Sequence, residues 1–441
     1  MGHNISEIEK RYRDTHSNSQ LHFDRVRKVM PGGVKGAYHH LPFPITMDRG
    51  QGKYLWDADG NRYIDFVNHH SAQVLGHKHP AVREAIDKQL DRGIALGASM
   101  GNEVEMAEEM CRRVKSIDSI RFCNSGTEAT LHAVRLAREF SGKTKIAKFE
   151  GGYHGNHDSV EISVAPPVDA AGPEHAPLAV AGVGGMGPSV LDSVVILPYD
   201  DEFAVERIVS EHAGELACIM LDPKAGIIPQ RRDFIQAVAD TARKNNLLLV
   251  FDEIVGFRVG TGGIQQYHGI EPDLSTYAKI IGGGFPVGAF AGRSDIMQLT
   301  DNSSGSARVF QSGTHSGHAL VMAAGKATLG QLTSEAFAHM NSLTSRLCEG
   351  IQKEFDRVGF PGTAVNDGSV FSIYFTQEDV RNYRTLARCN RDLTLPIVLS
   401  MLNQGYFVSH NLVMNSLSLP TQVEDVDGFV NAFGSALEEV V

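Results

Sequence analysis

The sequence has few cysteines, and none of them belongs to a recognisable motif. No C-x-x-C pair occurs, and the five cysteines are widely spaced, at Cys111, Cys123, Cys218, Cys348 and Cys389. An odd, scattered set argues against a disulfide framework and against a zinc finger. We therefore expect reduced thiols in the core of a cytoplasmic protein.

Long hydrophobic runs are also missing. The run from Leu216 to Leu221 is among the longest, at six residues, whereas a membrane helix needs about 20. The first 30 residues contain no apolar signal segment. The net charge is −11, opposite in sign to the basic surface typical of nucleic-acid-binding proteins. The sequence thus predicts neither a membrane nor a nucleic-acid partner.

What the chain does have is the composition of a globular protein, with 441 residues, 42% hydrophobic and 21% charged. Between residues 119 and about 290, short apolar runs alternate with helical stretches and end at polar or glycine-rich tips. This alternation predicts an α/β domain with a mainly parallel sheet, whose ligands lie beyond the carboxyl ends of the strands. The predicted strands are 120–122, 146–149, 194–198, 218–221 and 247–251.

The flanking regions predict a smaller α+β domain built from both chain ends. We expect a helix over 5–29, three short strands at 45–48, 54–57 and 63–67, and a long helix from about 326. The dipeptide Asp59-Gly60 indicates a hairpin between the last two strands. The predicted division is 1–70, joining the small domain, then 71–325 as the large domain and 326–441 as the rest of the small domain.

Three patterns suggest other chemistry and do not meet its requirements. Ser141-Gly142-Lys143-Thr144 lacks the first glycine of a phosphate-binding loop, because Ala137 occupies that position. The run Gly282-Gly283-Gly284 lacks the spacing of a dinucleotide fingerprint. The histidine pairs 77/79 and 154/157 have no cysteine or carboxylate that completes a metal site, so no metal is expected.

Three features together indicate one cofactor. Ser125-Gly126-Thr127-Glu128 lies between a strand and a helix, where free amides and the helix dipole favour phosphate. Asp252 follows an apolar strand, and a carboxylate there needs a cationic partner such as a protonated pyridine nitrogen. Lys279 lies among apolar residues and is costly unless it is paired or covalently used. Pyridoxal phosphate needs all three groups, and Tyr153 at another strand tip could stack on its ring.

At this point the chain resembles the class III, fold-type I aminotransferases, and within them the glutamate-1-semialdehyde aminomutase branch. The similarity runs from Pro31 to about residue 420. Its motifs are Asp57-Ala58-Asp59-Gly60-Asn61-Arg62-Tyr63, Leu75-Gly76-His77-Lys78-His79-Pro80, Asn124-Ser125-Gly126-Thr127-Glu128-Ala129, Tyr153-His154-Gly155, Phe251-Asp252-Glu253-Ile254, Gly256-Phe257-Arg258, Pro272-Asp273-Leu274 and Lys279-Ile280-Ile281-Gly282-Gly283-Gly284-Phe285-Pro286.

The resemblance implies a fold-type I transferase that binds pyridoxal phosphate, and it assigns roles to matching residues. Lys279 would form the Schiff base, Asp252 would hold the ring nitrogen protonated, and Tyr153 and Ile254 would cover the two ring faces. The remaining cofactor-binding residues would be Ser125, Gly126 and Thr127 at the phosphate, with His154, Asp222 and Thr314. Thr314 would reach the cofactor of a partner subunit, which implies a homodimer with the active site at the interface.

Several positions depart from the family pattern. The usual Glu-Pro is Asp222-Pro223, the Asn that supports the ring oxygen is Ile227, and the Asn after the phosphate Thr is His318. No Arg follows Pro31-Gly32-Gly33-Val34, and the usual Trp is His70. The segments on the substrate side instead offer aromatic and switchable groups, with Tyr38, His39 and His70 as candidate substrate residues beside His40 and His69. Alternatively, Lys35, Arg231 or Arg258 supplies the missing positive charge.

The predicted function is that of an aminotransferase. It would move an amino group between an amino compound, of bulky, aryl or β-amino type, and a keto acid or aldehyde. Aminomutase activity of the glutamate-1-semialdehyde kind, or racemase or epimerase activity, is the alternative, because each shares the first proton abstraction. A non-catalytic, cofactor-binding homologue is a further alternative, against which the retained Lys279 and Asp252 argue.

Overall fold

The computed structural model describes residues 2–34, 42–303, 305 and 307–441. The chain forms two compact units. The smaller unit comprises Met1–Pro80, Glu335–Asp379 and Arg388–Val441, and the larger comprises Ala81–Ser334 and Val380–Ala387. The domain bounds predicted at 70/71 and 325/326 remain predictions, while the divisions between the units fall a few residues later. The described residues contain no helix that is long and apolar enough to span a membrane.

The helices are numbered in chain order. They are α1 Gly2–Thr15, α2 Ser17–Val26, α3 Asn68–Ser71, α4 Pro80–Leu90, α5 Gly101–Arg113, α6 Gly126–Ser141, α7 Pro188–Leu191, α8 Glu202–His212, α9 Arg232–Lys244, α10 Glu253–Gly256, α11 Gly263–His268, α12 Ser294–Met297, α13 Ala319–Gln331, α14 Ser334–Val358, α15 Tyr383–Ala387, α16 Thr394–Asn403 and α17 Val423–Val440. Short 3₁₀ turns lie at Pro31–Gly33, Lys279–Gly282 and Gln298–Thr300.

The strands are likewise numbered in chain order; the first eight match the predicted runs to within three residues at either end, and no bounds are predicted for the later ones. They are β1 Met47–Gln51, β2 Tyr54–Asp57, β3 Arg62–Asp65, β4 Ser119–Cys123, β5 Lys145–Phe149, β6 Val194–Leu197, β7 Leu216–Leu221, β8 Leu248–Asp252, β9 Leu274–Ala278, β10 Gly288–Gly292, β11 Thr363–Asp367, β12 Val370–Tyr374, β13 Tyr406–Phe407 and β14 Asn415–Ser416.

The larger unit is built on a seven-stranded sheet of order β4-β10-β9-β8-β7-β5-β6. Strands β9, β8, β7, β5 and β6 run parallel, and β10 is antiparallel to both β4 and β9. Both faces are buried: Leu249 and Phe251 of β8 pack in the core that includes α9, whereas Leu248 and Val250 pack in the core that includes α6. This two-residue alternation directs Asp252 to the α6 face.

The smaller unit combines two sheets around its own core. One sheet has the order β1-β2-β3-β13 and the other β11-β12-β14. Strands β2 and β3 form the hairpin predicted at Asp59-Gly60. The core contains side chains from helices α1, α14, α16 and α17, including Ile8, Leu347, Ile397 and Phe433.

The helix predicted over 5–29 is wrong in one respect, because the chain breaks it at His16. The His16 ring contacts the Tyr12 carbonyl at 2.6 Å and the Tyr63 hydroxyl at 2.6 Å. The Asp59 carboxylate then accepts hydrogen bonds from the backbone amides of Asn18 (2.7 Å) and Ser19 (3.1 Å). These contacts satisfy amides at the start of α2, which a continuous helix would have paired internally.

The long helix predicted from 326 is also wrong, since two helices occupy this region. Helix α13 begins at Ala319 and ends at Gln331, and α14 begins at Ser334. The Arg113 guanidinium donates to the carbonyls of Leu329 and Leu332 at the end of α13. A cation at a helix C-terminus satisfies free carbonyls and complements the dipole, so the break is fixed from a distant part of the sequence.

A buried ion pair joins two distant segments of the larger unit. Arg384 of α15 donates from Nε to Glu150 Oε2 (2.7 Å) and from a terminal nitrogen to Glu150 Oε1 (2.8 Å). Its guanidinium also donates to the carbonyls of Val168, Ala171 and Gly172. Glu150 directly follows β5, so this pair ties the 380–387 segment to the carboxyl edge of the sheet.

Replacing Arg384 by Met should lower the free energy of unfolding by about 3–5 kcal/mol, because Glu150 would be left buried without its partner. Urea unfolding followed by circular dichroism measures the change. Arg388→Met is the control, since its ion pair with Glu378 is exposed and should contribute at most about 1 kcal/mol. Equal losses in both variants would contradict the prediction.

Candidate active site

The predicted site residues follow neighbouring strands of the large sheet. Lys279 comes directly after β9, Asp252 ends β8, and Asp222 comes directly after β7. These three strands are adjacent and parallel, with Asp252 paired to Thr276 and Leu221 paired to Phe251. Because adjacent strands lie about 4.8 Å apart, the carboxyl edge brings two carboxylates and an amine together.

Asp252 is buried in a network of three donors. Its Oδ1 accepts from the Ile254 amide (3.1 Å) and from the Thr276 hydroxyl (3.3 Å). Its Oδ2 lies 2.9 Å from Nδ1 of His154. A carboxylate offers about four acceptor sites, so one remains for a further donor. The position therefore suits a carboxylate that receives one N–H from a ligand.

His154 is the partner of Asp252 that sequence reasoning did not identify. The resemblance gave His154 only a general role in cofactor binding, whereas the structure buries its ring against Asp252. Its carbonyl accepts from Thr130 of α6 at 2.6 Å. Nε2 of His154 is buried and has no hydrogen-bond partner among the described residues. Residues 154 and 252 are far apart in sequence, and no local pattern signals their pairing.

The environment of Lys279 favours the uncharged amine. Burial lowers its pKa from 10.5 to about 8, although the charges of Asp252 and Asp222 act in the opposite direction. The backbone of Lys279 is in the left-handed region, with φ of +54°. Such backbone conformations are uncommon outside glycine and cluster at functional sites.

The start of α6 has the features of an anion site. The Ser125 hydroxyl caps the helix by accepting from the Glu128 amide at 3.1 Å. The Glu128 carboxylate accepts from the amide of Asn124 rather than that of Ser125, so Ser125 and Glu128 do not form a reciprocal capping box. The amides of Gly126 and Thr127 belong to the first turn of the helix, so they have no acceptor within the helix. They lie at the positive end of the helix dipole.

The loop after β5 packs against this helix start. Gly155 has φ of +101°, and a Cβ there would lie 2.6 Å from the Thr127 hydroxyl oxygen. The Asn156 amide donates to the same oxygen at 3.2 Å. A Cβ on Gly126 would lie 2.6 Å from a methyl carbon of Ile254. The glycines therefore allow the helix start, the loop and Ile254 to lie in contact.

The other predicted cofactor residues differ in exposure. Tyr153 is 50% exposed, and its hydroxyl donates to Asn156 at 3.0 Å. Thr314 lies in an exposed loop that precedes α13. Its predicted contact with a partner subunit's cofactor stays a prediction. Asp222 is buried, and burial raises the pKa of its carboxyl while the charge of Lys224 lowers it.

Lys224 is a second lysine at the sheet edge that sequence reasoning passed over. It is buried, with φ of +56°. Its Nζ lies 3.7 Å from Asp222 Oδ2. A positively charged residue three positions after a strand gives no signal in the sequence, since most such lysines are solvated.

Two of the predicted substrate residues, Tyr38 and His39, lie outside the described residues, as do His40 and Lys35. The third, His70, belongs to the smaller unit, in helix α3, which is a left-handed turn. Asn68, His69, His70 and Ser71 have φ of +49°, +51°, +55° and +70°. A left-handed turn of L-residues costs about 1–2 kcal/mol per residue. Asn68 helps to hold it by donating to the Ser416 carbonyl at 2.6 Å.

The arginines considered as substitutes for the missing charge are not equally available. Arg231 forms ion pairs with Asp200 (2.8 Å), Asp233 (2.6 Å) and Glu202 (3.4 Å). Its charge is already balanced on the surface of the larger unit. Arg258 is buried.

Within the part of the chain that is described, no group of three or more His, Cys, Asp or Glu side chains is arranged to hold a metal ion.

Known proteins similar to this chain agree on one family. The sequence profile of the family Aminotransferase class-III matches residues 36–437. A glutamate-1-semialdehyde 2,1-aminomutase of Aeropyrum pernix is 37% identical over 431 residues, covering 96% of this chain and 98% of that protein. The chain therefore belongs to the class III aminotransferases, as the motifs predicted.

Solved structures of similar sequence carry the same fold. An omega-transaminase from Sphaerobacter thermophilus superposes with a TM-score of 0.91 and 35% identity, covering 97% of this chain and 99% of that one. A β-phenylalanine aminotransferase from Variovorax paradoxus superposes with a TM-score of 0.89 and 32% identity, covering 99% and 97%. The predicted fold-type I architecture is confirmed.

Class III aminotransferases are pyridoxal-phosphate-dependent enzymes, and membership makes this chain one of them. Its residues fit that cofactor on their own chemistry. Asp252 has one acceptor site left for a ring N–H, Lys279 is a partly buried amine of lowered pKa, and Gly126 and Thr127 present amides at a helix start. His154 supports the Asp252 carboxylate through Nδ1, 2.9 Å from Oδ2.

Lys279 should react faster with an amine reagent than the exposed lysines in cofactor-free protein at pH 8. With a pKa of about 8, about half of it is uncharged there, against less than about 1% of an ordinary lysine. Competitive labelling with peptide mass spectrometry measures the rate, and exposed Lys326 is the reference. Labelling of Lys279 should fall about tenfold per pH unit below 8, and a rate no higher than that of Lys326 would contradict this.

Proposed function

We propose that this protein is an aminotransferase that moves an amino group between a bulky amino compound, of aryl or β-amino type, and a keto acid or aldehyde. The observation that carries the proposal is the grouping of Lys279, the Asp252–His154 pair and the α6 start at one edge of the sheet. These are the groups that the chemistry of amino transfer requires, and all lie within the larger unit.

Pyridoxal phosphate, when bound, supplies an aldehyde that takes up amines and a ring that takes up negative charge from the reacting carbon. Asp252 holds a proton on the ring nitrogen, and His154 and Thr276 hold Asp252 in place. The helix start, with Ser125, Gly126 and Thr127, binds the phosphate. Tyr153 and Ile254 cover the two faces of the ring.

Lys279 has two roles in this proposal. It would hold the aldehyde carbon of the cofactor, which requires an uncharged amine, and its lowered pKa increases the uncharged fraction near neutral pH. When Nζ of Lys279 is not bound to the cofactor, it would move the proton at the amine-bearing carbon of the substrate. A lysine with a pKa near the working pH is suited to both accept and return that proton.

The substrate class follows from what the chain lacks. No Arg follows Pro31-Gly32-Gly33-Val34, so a two-pronged carboxylate contact is missing from that segment. Arg231 is already neutralised by three carboxylates. We propose that Tyr38, His39 and His70 line the substrate side and favour bulky amines whose carboxylate is absent, remote or weakly held. The likeness to a β-phenylalanine aminotransferase supports this class.

Aminomutase activity is the second candidate. The relative from Aeropyrum pernix, which covers nearly the whole chain, is named a glutamate-1-semialdehyde 2,1-aminomutase. The two reactions share the proton removal by Lys279 and differ in where the amino group returns. A mutase returns it to the same substrate molecule, so it needs no second keto substrate.

The proposed assembly is a cytoplasmic homodimer. Thr314 lies in an exposed loop, where its hydroxyl is free to reach a neighbouring subunit's cofactor phosphate. The five free cysteines, four of them buried, suit a reducing compartment.

A screen of half-reactions tests the proposed function. Holoenzyme is mixed with single amino donors, and loss of the cofactor's long-wavelength absorbance reports amino transfer. Aryl amines and β-amino acids should react faster than small charged amino acids, and turnover should then require a keto acceptor. Preference for glutamate-1-semialdehyde without any acceptor would establish the mutase instead. Borohydride should fix the cofactor to Lys279, and fixation at another lysine would overturn the assignment.

Asp252→Asn should reduce turnover by about 10²-fold or more, the range for loss of a preorganised electrostatic group. Asparagine keeps the size of the side chain but cannot hold the ring nitrogen protonated. Steady-state kinetics with the best donor measures the loss. Asp273→Asn is the control, because Asp273 pairs with Arg293 at the opposite end of β9. Near-normal turnover in Asp252→Asn would contradict the role.

A further inference from the structure

The turn after β7 holds a lysine whose charge has no hydrogen-bonded partner. The Lys224 side chain is 7% exposed. Its nearest opposite charge, Asp222 Oδ2, lies at 3.7 Å, beyond hydrogen-bond distance. No other hydrogen bond of its ammonium is found in the described part of the chain. The ammonium has three N–H donors, and because Nζ is not fully enclosed they are open to water or to a ligand.

The backbone fixes Lys224 in place. Its amide donates to Asp222 Oδ1 at 2.8 Å, and its carbonyl accepts from the amides of Ile227 (2.9 Å) and Ile228 (3.1 Å). The Tyr199 hydroxyl donates to the Asp222 carbonyl at 2.7 Å. The chain thus maintains a left-handed backbone at a lysine, where glycine would be unstrained. Strain of this kind persists where the surrounding structure holds it, typically at functional sites.

The order of the strands predicts which side of the cofactor would lie next to Lys224. Along the carboxyl edge, the α6 start follows β4, Lys279 follows β9, Asp252 ends β8, and Lys224 follows β7. In pyridoxal phosphate, the aldehyde is opposite the ring nitrogen, and the ring oxygen and the phosphate arm lie on opposite sides of the aldehyde. With the phosphate on the β4 side, the ring oxygen faces the β7 side.

We propose that the Lys224 ammonium binds the ring oxygen of the cofactor and stabilises it as an anion. This inference rests on the proposed function. The other group at the β7 tip, the Asp222 carboxylate, would repel such an anion. The family's ring-oxygen Asn is Ile227 here, so an amide is not available at that position. A cation would hold the oxygen more strongly than an amide does.

Charged groups act directly on Lys224 from two elements, its own turn and β5. Asp222 faces it from its own turn, and Lys148 of β5 is close enough for the two lysines to repel each other. Asp222 in turn interacts with Asp252 of β8 and with His154. In this proposal the protonated ring nitrogen contacts the Asp252 carboxylate, and the ring-oxygen anion contacts the Lys224 ammonium. Each charge on the cofactor ring is then paired with an opposite charge on the protein.

The test is a pH titration of the bound cofactor's absorbance in holoenzyme. Wild type is compared with Lys224→Met and Lys224→Gln, which are neutral, and with Lys224→Arg, which keeps the charge. Removing a cation within contact distance should raise the pH midpoint of the ring-oxygen ionisation by about 1–3 units. That is about a tenfold to thousandfold loss in its acid dissociation constant. Lys224→Arg should stay close to wild type.

Lys326→Met is the matched control, since Lys326 is exposed and pairs with Glu105 elsewhere in the same unit. Neutral variants that titrate together with wild type would overturn the proposal. A second measurement uses only wild type and Lys224→Gln. Equilibrium dialysis gives the affinity of each protein for pyridoxal phosphate and for its 3-O-methyl ether. The ether, which cannot carry the charge, should lose affinity at least about tenfold more in wild type than in Lys224→Gln. An equal loss in both would also overturn the proposal.

The two proposals fail in different ways. If borohydride does not fix the cofactor to Lys279 in wild type, the proposed function fails. If the cofactor is fixed there and the neutral Lys224 variants still titrate like wild type, only the Lys224 inference fails.

Discussion

The site depends on a single carboxylate at the end of a strand with both faces buried. Asp252 is anchored by an amide from its own turn, a hydroxyl from the next strand and an imidazole from the loop after β5. A buried charge without such partners would be costly. Because these partners come from separate elements, the sheet, the loop and the α10 turn must all be in place before the carboxylate is satisfied. The geometry of the candidate site and the folding of the larger unit are thereby linked at one residue.

The strands of the large sheet could be predicted from the sequence, and so could the positions of Lys279, Asp252 and the Ser125 turn at strand ends, for the same reason. A strand buried on both faces must be a short apolar run, and the polar residue that ends it, such as Asp252, stands out against that background. Lys279 and the Ser125 turn are recognised in this way. The family resemblance then added Ile254 and Thr314, which no apolar pattern would have identified.

Contacts between distant segments could not be predicted. The break at His16 depends on Asp59, and the break after Gln331 depends on Arg113. Both helices have periodic patterns that would continue if only local propensity acted. The His154–Asp252 pair and the left-handed Lys224 have no local signature either, because their cause is the sheet order. What the sequence misses is thus the set of interactions that the tertiary fold creates.

The tie between Glu150 and Arg384 bears on the order in which the chain is made. The two residues are 234 positions apart, and a ribosome adds about 5–20 residues per second. Glu150 is synthesised after only two of the seven strands of the large sheet, β4 and β5, and then has no partner for roughly ten seconds or more. The larger unit therefore cannot pair the buried carboxylate of Glu150 while its amino-terminal part is being synthesised. Its completion waits until most of the smaller unit has also left the ribosome.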